Sequence, residues 1–503
     1  MPLSHSPFRW RAPSAALATL LLLAPALPSC ADQPRPDVLL VVVDTLRADR
    51  MSCYGYERPT TPFMDRLATE GALFEDVTAQ FSWTVPSMVS MFTGRYLTDL
   101  TEEVGPNQTT LAQSFQSSGY VTIGASANLL LQADTGLLAG FDAFSAAPED
   151  SLEQDRSLTE LGESVLRDAK LQVDLDRPSG ERKPVFLYLH AFEPHDPYQR
   201  YSGVSKAFLE MDAEPLAPAG WHADQLLPYS DLAPEEDPLW TSELEWIDRA
   251  RDRYDQEIRS VDEQLESFIE SLRARGFLDN AIIAIVSDHG EGLWDHRPAV
   301  WLQERATESK QARMRLPREL FYQKHGAIQF QDVLATPMLI WGAGVRSGVR
   351  IETPVENIDL APTLLELANV PSTAELHGRS LARAIERARG EPRDYVYSLG
   401  VQGATVRELA SGLKLIVAQR KSAKLGEANQ LYHLPSDPLE RKDLIGQRPQ
   451  DAARLLAVFE QWLVAYPTER ASGSGSRASE RTSALRKRLS AIGYAAEETT
   501  DEE

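Results

Sequence analysis

"PDVLLVVVDT", residues 36–45, decides how the rest of the chain is read. Six apolar residues, Val38 to Val43, run without a break into the polar pair Asp44 and Thr45. A strand with one wet face alternates apolar and polar residues, whereas an unbroken run marks a strand covered on both faces of a parallel sheet. The stretches "KPVFLYLHAF" (183–192), "NAIIAIVSDHG" (280–290) and "ATPMLIWGAG" (335–344) repeat the pattern. Between them the spacing predicts helices over 62–73, 110–118, 157–172 and 242–275. In the last, Ile247, Ala250, Tyr254, Ile258, Val261, Leu265, Phe268 and Leu272 recur every three or four residues, one apolar face of a long helix. The expected fold is α/β, a mostly parallel central sheet flanked by helices.

Near residue 370 the texture changes. Stretches 396–421 and 429–438 predict a short antiparallel sheet and 450–466 a closing helix, together a smaller C-terminal α+β subdomain. The charged segment 297–320 reads as a lid or inserted loop. "RASGSGSRASERTS" (470–483) reads as a flexible linker, and the acidic end as disordered. The expected divisions are 1–30, 36–372, 373–468 and a tail at 469–503.

At the amino terminus Arg9 and Arg11 precede an apolar run from Ala15 to Leu27 that "LPSC" closes at Cys30. This predicts an export signal. With Ser29 before it and Leu27 two places earlier, Cys30 resembles the acylated cysteine of bacterial lipoproteins, so a lipid anchor and a periplasmic or envelope location are expected. The alternative is a cut after Ala31. As a membrane span the run is too short, since a bilayer needs about 20 residues. Cys53 is then the only thiol left, so no intramolecular disulfide is expected. Over 503 residues, 51 Lys and Arg against 74 Asp and Glu leave a net charge of −23, which excludes nucleic acid and anionic lipid surfaces as partners.

In an open parallel sheet, functional groups collect at the carboxyl ends of strands. Asp44 ends the first strand, Asp288 and His289 end another, and the loop "HAFEPHDPY" (190–198) follows a third. Two carboxylates and an imidazole suit Ca²⁺, Mg²⁺, Mn²⁺ or Zn²⁺. Thr84 precedes "VPSMVSMFTG" (85–94), in which Val85, Met88, Val89 and Phe92 have helical spacing. A threonine at a helix start either caps the helix or presents its hydroxyl beside free backbone N–H groups that favour an anion. A cation touching that hydroxyl would make it a nucleophile. His190, within a strand, reads as structural. Asp295 and His296 read as a solvated loop, with a further metal shell as the alternative. Trp221, Trp240, Trp246 and Trp301 read as packing or rim residues.

Ten stretches in fixed order carry a family resemblance. They include "VVVDTLRADRMSCYGY" (41–56), "WTVPSMVSMFTGRY" (83–96), "LYLHAFEPHDPY" (187–198), "KHGAIQFQDVLATPMLIWGAG" (324–344) and "LYHLPSDPLERKDL" (431–444). From about 36 to 445 the chain resembles the sulfatase branch of the alkaline-phosphatase-like superfamily. The resemblance implies one divalent metal, calcium, or Mn, Zn or Mg for phosphoryl transfer, held by Asp44, Asp288, His289 and the nucleophile Thr84. It implies that His195 contacts the transferred group or leaving oxygen, and that Lys324 and His325 offset charge or protonate that oxygen. Asn128 and Arg95 are implied as substrate contacts, Arg95 alternatively as a buttress of the nucleophile helix. The implied substrate is a small anionic ester: a sulfated glycan, an aryl or alkyl sulfate, or a phosphoester.

Three positions depart from the family pattern. Thr45 replaces the second aspartate of the opening pair, Met88 replaces the arginine of the maturation motif, and Thr84 replaces the cysteine or serine that becomes formylglycine. A threonine lacks the geminal hydroxyl that expels sulfate by elimination. Threonine-using relatives, phosphodiesterases and phosphotransferases, make phosphoryl transfer the second reading. A catalytically silent envelope lipoprotein that binds anionic ligands is the third.

Overall fold

The computed structural model describes residues 34–98, 103–147, 158–166, 182–196, 198, 238–296, 325–326, 329–372, 374–401, 403–418 and 429–467. Cys30, the 297–320 segment, Lys324, Trp221, Trp301 and the 469–503 tail therefore lie outside the described residues.

In chain order the strands are β1 (Asp37–Val43), β2 (Ala72–Phe74), β3 (Val77–Thr78), β4 (Val121–Ser126), β5 (Ala143–Ser145), β6 (Val185–Ala191), β7 (Ala281–Val286), β8 (Met338–Gly342), β9 (Val349–Ile351), β10 (Val355–Glu356), β11 (Tyr395–Leu399), β12 (Gly403–Glu408), β13 (Leu413–Ala418) and β14 (Gln430–His433). Eight of them form one sheet in the order β5-β4-β6-β1-β7-β8-β2-β9. Every residue of β1, β6 and β7 is buried, as their unbroken apolar runs require. Both neighbours of β1 are parallel to it, with Val43 opposite Ala191 and Val42 opposite Val286. Three carboxyl ends therefore open at one edge, and the Asp44 amide donates to the Ala191 carbonyl at 3.1 Å.

The sheet is mostly parallel, but β8 runs antiparallel to both β7 and β2. An apolar run records burial and carries no sign of direction, so the fourth predicted strand is in place but reversed. The helix expected over 62–73 stops at Glu70 and β2 begins at Ala72. Between them Gly71 lies against β8 so closely that a Cβ would sit 2.5 Å from the Ile340 carbonyl oxygen.

The long helix Pro238–Ala274 buries all eight residues of its predicted apolar stripe. Strands β11 to β14 form a separate antiparallel sheet, as the sequence predicts. The helix Pro449–Ala465 covers it with Ala452, Leu455, Phe459 and Trp462. Backbone bonds tie this sheet to the body: Leu399 N to Gln80 O at 2.8 Å and Ser82 N to Leu399 O at 3.2 Å. Among the described residues no helix is long and apolar enough to cross a membrane.

Candidate active site

Thr84 opens the helix Thr84–Thr93, whose apolar residues at helical spacing bury it completely and whose left-handed Gly94 ends it. Trp83, not Thr84, occupies the capping position, and no side chain caps the helix. The capping alternative is thereby removed: the Thr84 hydroxyl faces His289, with Oγ1 3.2 Å from Nε2. Ser87 pins the same helix to the end of β7 by donating to the Asp288 carbonyl at 2.7 Å.

The structure brings Asp44, Asp288 and His289 together, with one ligand atom from each lying within 4.8 Å of the others. All three are fully buried. Each carboxylate has one oxygen satisfied and one left over, while His289 Nε2 pairs with the Thr84 hydroxyl. Asp44 Oδ2 accepts from Asn128 Nδ2 at 2.5 Å, while Oδ1 has no partner. Asp288 Oδ1 accepts the backbone N–H groups of His289 at 2.9 Å and Thr45 at 3.3 Å, while Oδ2 has none. His289 Nδ1 donates to the Gly290 carbonyl at 2.9 Å, which turns Nε2 towards the two carboxylates. Nε2 lies 3.2 Å from Asp288 Oδ2 and 3.9 Å from Asp44 Oδ1.

Two carboxylate oxygens buried side by side without hydrogen bonds are costly unless a cation joins them. The donor types, with the Thr84 hydroxyl beside them, fit a hard-to-borderline divalent ion, and each ligand is oriented by a hydrogen bond on its other side. Without a cation the electrostatics are unbalanced. Burial pushes Asp288 up, and the adjacent Asp44 charge pushes it further. Burial also works to raise Asp44, but His190, His195 and His289 outweigh it and hold that carboxyl below the usual range.

Thr45 stands where a further carboxylate is expected. Its φ of 55° is costly for a β-branched residue. The turn is held by Tyr254, whose hydroxyl donates to the Thr45 carbonyl at 2.6 Å. This backbone turn aims the Thr45 N–H, rather than a side chain, at Asp288.

Other expected residues fall into two groups. His325 and His195 join the cluster: the His325 ring lies 4.2 Å from that of His289 and 5.0 Å from that of His195. Asn128 also arrives, but its amide N–H is spent on Asp44 and its carbonyl accepts Leu130 N at 2.8 Å. Arg95 does not arrive. It follows Gly94 at the opposite end of the ten-residue helix, about 15 Å along the axis from Thr84, and donates to the Glu375 carbonyl.

Sequence reasoning passed over Glu291 and placed His190 and Asp295 in surroundings that differ from those observed. His190 is not a bystander in its strand, for its Nε2 lies 3.5 Å from Asp44 Oδ2. Glu291 is fully buried and accepts from His325 Nδ1 at 3.0 Å, with burial raising its pKa. In "DHGEG" it reads as a turn residue, and only the fold brings His325 to it. Asp295 is not a free loop residue either: its carboxylate is held between Arg47, at 2.7 Å, and Arg251, at 3.1 Å. Its neighbour His296 stacks on Phe330 with ring centres 3.8 Å apart.

The Sulfatase family model matches residues 36–370, and the model for the C-terminal region of N-sulphoglucosamine sulphohydrolase matches residues 321–463. An N-acetylglucosamine-6-O-sulfatase of Bacteroides thetaiotaomicron is 22% identical over 447 residues, covering 75% of this chain and 76% of that protein. A solved structure in complex with its substrate D-glucosamine-2-N,6-O-disulfate superposes with a TM-score of 0.62 at 18% identity, over 86% of this chain and 98% of the other. A phosphonate monoester hydrolase of Agrobacterium radiobacter superposes with a TM-score of 0.58 at 20% identity, over 90% and 96%.

Proposed function

Because the chain belongs to the sulfatase family, we propose that it is an exported, metal-dependent hydrolase of sulfate esters that uses Thr84 as its nucleophile. One observation carries this reading: the Thr84 hydroxyl lies 3.2 Å from His289 Nε2, beside the two partnerless carboxylate oxygens of Asp44 and Asp288. A divalent cation gripped by Asp44, Asp288 and His289 would lower the pKa of that hydroxyl and polarise an ester oxygen.

The chain's own residues supply the remainder. Thr84 Oγ1, its proton released to solvent, attacks sulfur in line, the bond to the leaving oxygen breaks, and that oxygen takes a proton from His195 or His325, which the attacking water later restores. The positive end of the dipole of the Thr84–Thr93 helix would favour the charge that develops on the transferred group. Water then attacks the Thr84 ester, releases sulfate and restores the hydroxyl. Positioning and electrostatics together must supply on the order of 20 kcal/mol. Glucosamine sulfate chemistry in two similar proteins supports a sulfated glycan as the substrate class.

Phosphoryl transfer is the second reading. The observation that favours it is the plain alcohol at position 84, which cannot expel sulfate by elimination; the phosphonate monoester hydrolase likeness points the same way. Under either reading residues 1–30 are a lipoprotein signal with Cys30 as the anchor, 36–372 the catalytic domain and 373–468 a C-terminal subdomain.

The test is a paired assay of aryl sulfate, phosphate monoester, phosphodiester and phosphonate with several divalent ions, run on wild type and Thr84→Ala. Sulfate ester turnover that falls at least about 1,000-fold in Thr84→Ala, with metal content intact, is the expected result. Full activity in Thr84→Ala overturns the mechanism. A preference for the phosphorus esters selects the second reading.

A further inference from the structure

A row of buried polar groups runs from β6 towards Asp44. Tyr188 and His190 are two residues apart on that strand and so share a face. The Tyr188 hydroxyl lies 2.8 Å from His190 Nδ1, and His190 Nε2, which is buried without a hydrogen bond, lies 3.5 Å from Asp44 Oδ2, the oxygen that also accepts from Asn128. His190 and Asp44 are wholly inaccessible, and Tyr188 is nearly so. A lone pair on Nε2 would face a carboxylate oxygen and be repelled, whereas a proton there is attracted. That places the ring lone pair on Nδ1, where the Tyr188 hydroxyl donates to it.

We propose that Tyr188 and His190 form a positioning relay that fixes Asp44 by its Oδ2, so that Oδ1 is the oxygen offered to a cation. This rests on the metal-site reading above and adds residues that are not themselves ligands. The relay has more leverage here than in a shell with a further aspartate, because Thr45 contributes no carboxylate.

Calorimetric titration of chelator-stripped protein with Mn²⁺ tests the relay without any ester turnover. Partners of this kind typically hold about 10- to 100-fold of metal affinity, so His190→Ala should weaken Mn²⁺ binding by that factor. His190→Gln, whose amide N–H can reach the same oxygen, should recover most of it. Tyr188→Phe keeps the ring packed edge-on against Phe92, 5.0 Å away, but loses the hydroxyl; it should bind Mn²⁺ more weakly than wild type. Near-UV circular dichroism reports folding of each variant, and if His190→Ala is unfolded the Tyr188→Phe isotherm decides. Wild-type affinity in His190→Ala or in Tyr188→Phe overturns the relay, as does a His190→Gln variant no better than His190→Ala. A wild-type protein that takes up no divalent ion fails the metal-site reading itself, before any variant is compared.

Discussion

At the scale of residues, the chemistry depends on which atom of each polar group is left bare. Asp44 Oδ1, Asp288 Oδ2 and His289 Nε2 all point inward only because Asn128, the Thr45 and His289 backbone N–H groups, and the Gly290 carbonyl occupy their other sides. Thr45 is the weak member of this set, since it meets Asp288 through a backbone N–H at 3.3 Å and leaves its own hydroxyl buried without a partner. Thr45→Asp should therefore tighten divalent binding, because aspartate tolerates the positive φ better and brings a charge. In metal-free protein a third buried carboxylate adds repulsion. The melting-temperature difference with and without Mn²⁺ should be larger in Thr45→Asp than in wild type, and an equal or smaller difference contradicts this. Asp44, Asp288 and His289 were legible in the sequence because each ends an apolar run. Asn128 was expected only as a substrate contact, and its bond to Asp44, like the surroundings of His190 and Glu291, was not legible, because the facing groups come from segments distant in sequence that meet only on folding.

At the scale of elements, the segment 331–334 packs on the metal-site turn. Gly290 N donates to the Val333 carbonyl at 2.9 Å, and a Cβ on Gly290 would sit 2.1 Å from the Asp332 carbonyl oxygen. Gly290→Ala must push the two segments apart and shift the carbonyl that orients His289. It should cost about 1–3 kcal/mol in denaturant unfolding and weaken metal binding although no ligand is changed.

Asp332 and His296 in the same region make a paired pH prediction. Their side chains lie 3.6 Å apart. Burial pushes His296 down to about 4. The unfolded chain then holds a proton that the fold rejects, so stability present above about pH 6.5 is lost as pH falls towards 4. Burial pushes Asp332 up to about 7. The fold then keeps a proton that the unfolded chain gives up, so stability present below about pH 4 is lost as pH rises to 7. In the shared window the two slopes offset. Relative to wild type, Asp332→Asn should gain stability on going from about pH 4.5 to 6.5, and His296→Phe should lose it. Urea midpoints at the two pH values check the signs.

For the molecule as a whole, the unbroken runs of β1, β6 and β7 revealed the three strands that carry the site, because full burial on both faces leaves that mark. The short strands β2, β4, β5 and β9 were not foreseen. β4, Val121–Ser126, includes Thr122, Gly124 and Ser126 and so lacks an apolar run, and the others have only three residues each. The reversal of β8 was likewise beyond reach of a pattern that reports burial alone. A cation joining β1 to β7 should stabilise the whole fold by mass action, by about 2.7 kcal/mol at 100 times its Kd, so chelation should lower the melting temperature.

The account stands on one ion held by Asp44, Asp288 and His289 beside Thr84. Elemental analysis of purified, dialysed wild type and of the Thr84→Ala and Asp288→Ala variants measures it directly. One divalent ion per chain in wild type and in Thr84→Ala, and its loss in Asp288→Ala, is the predicted result. A wild type without stoichiometric metal, or an Asp288→Ala variant that retains it, contradicts the account.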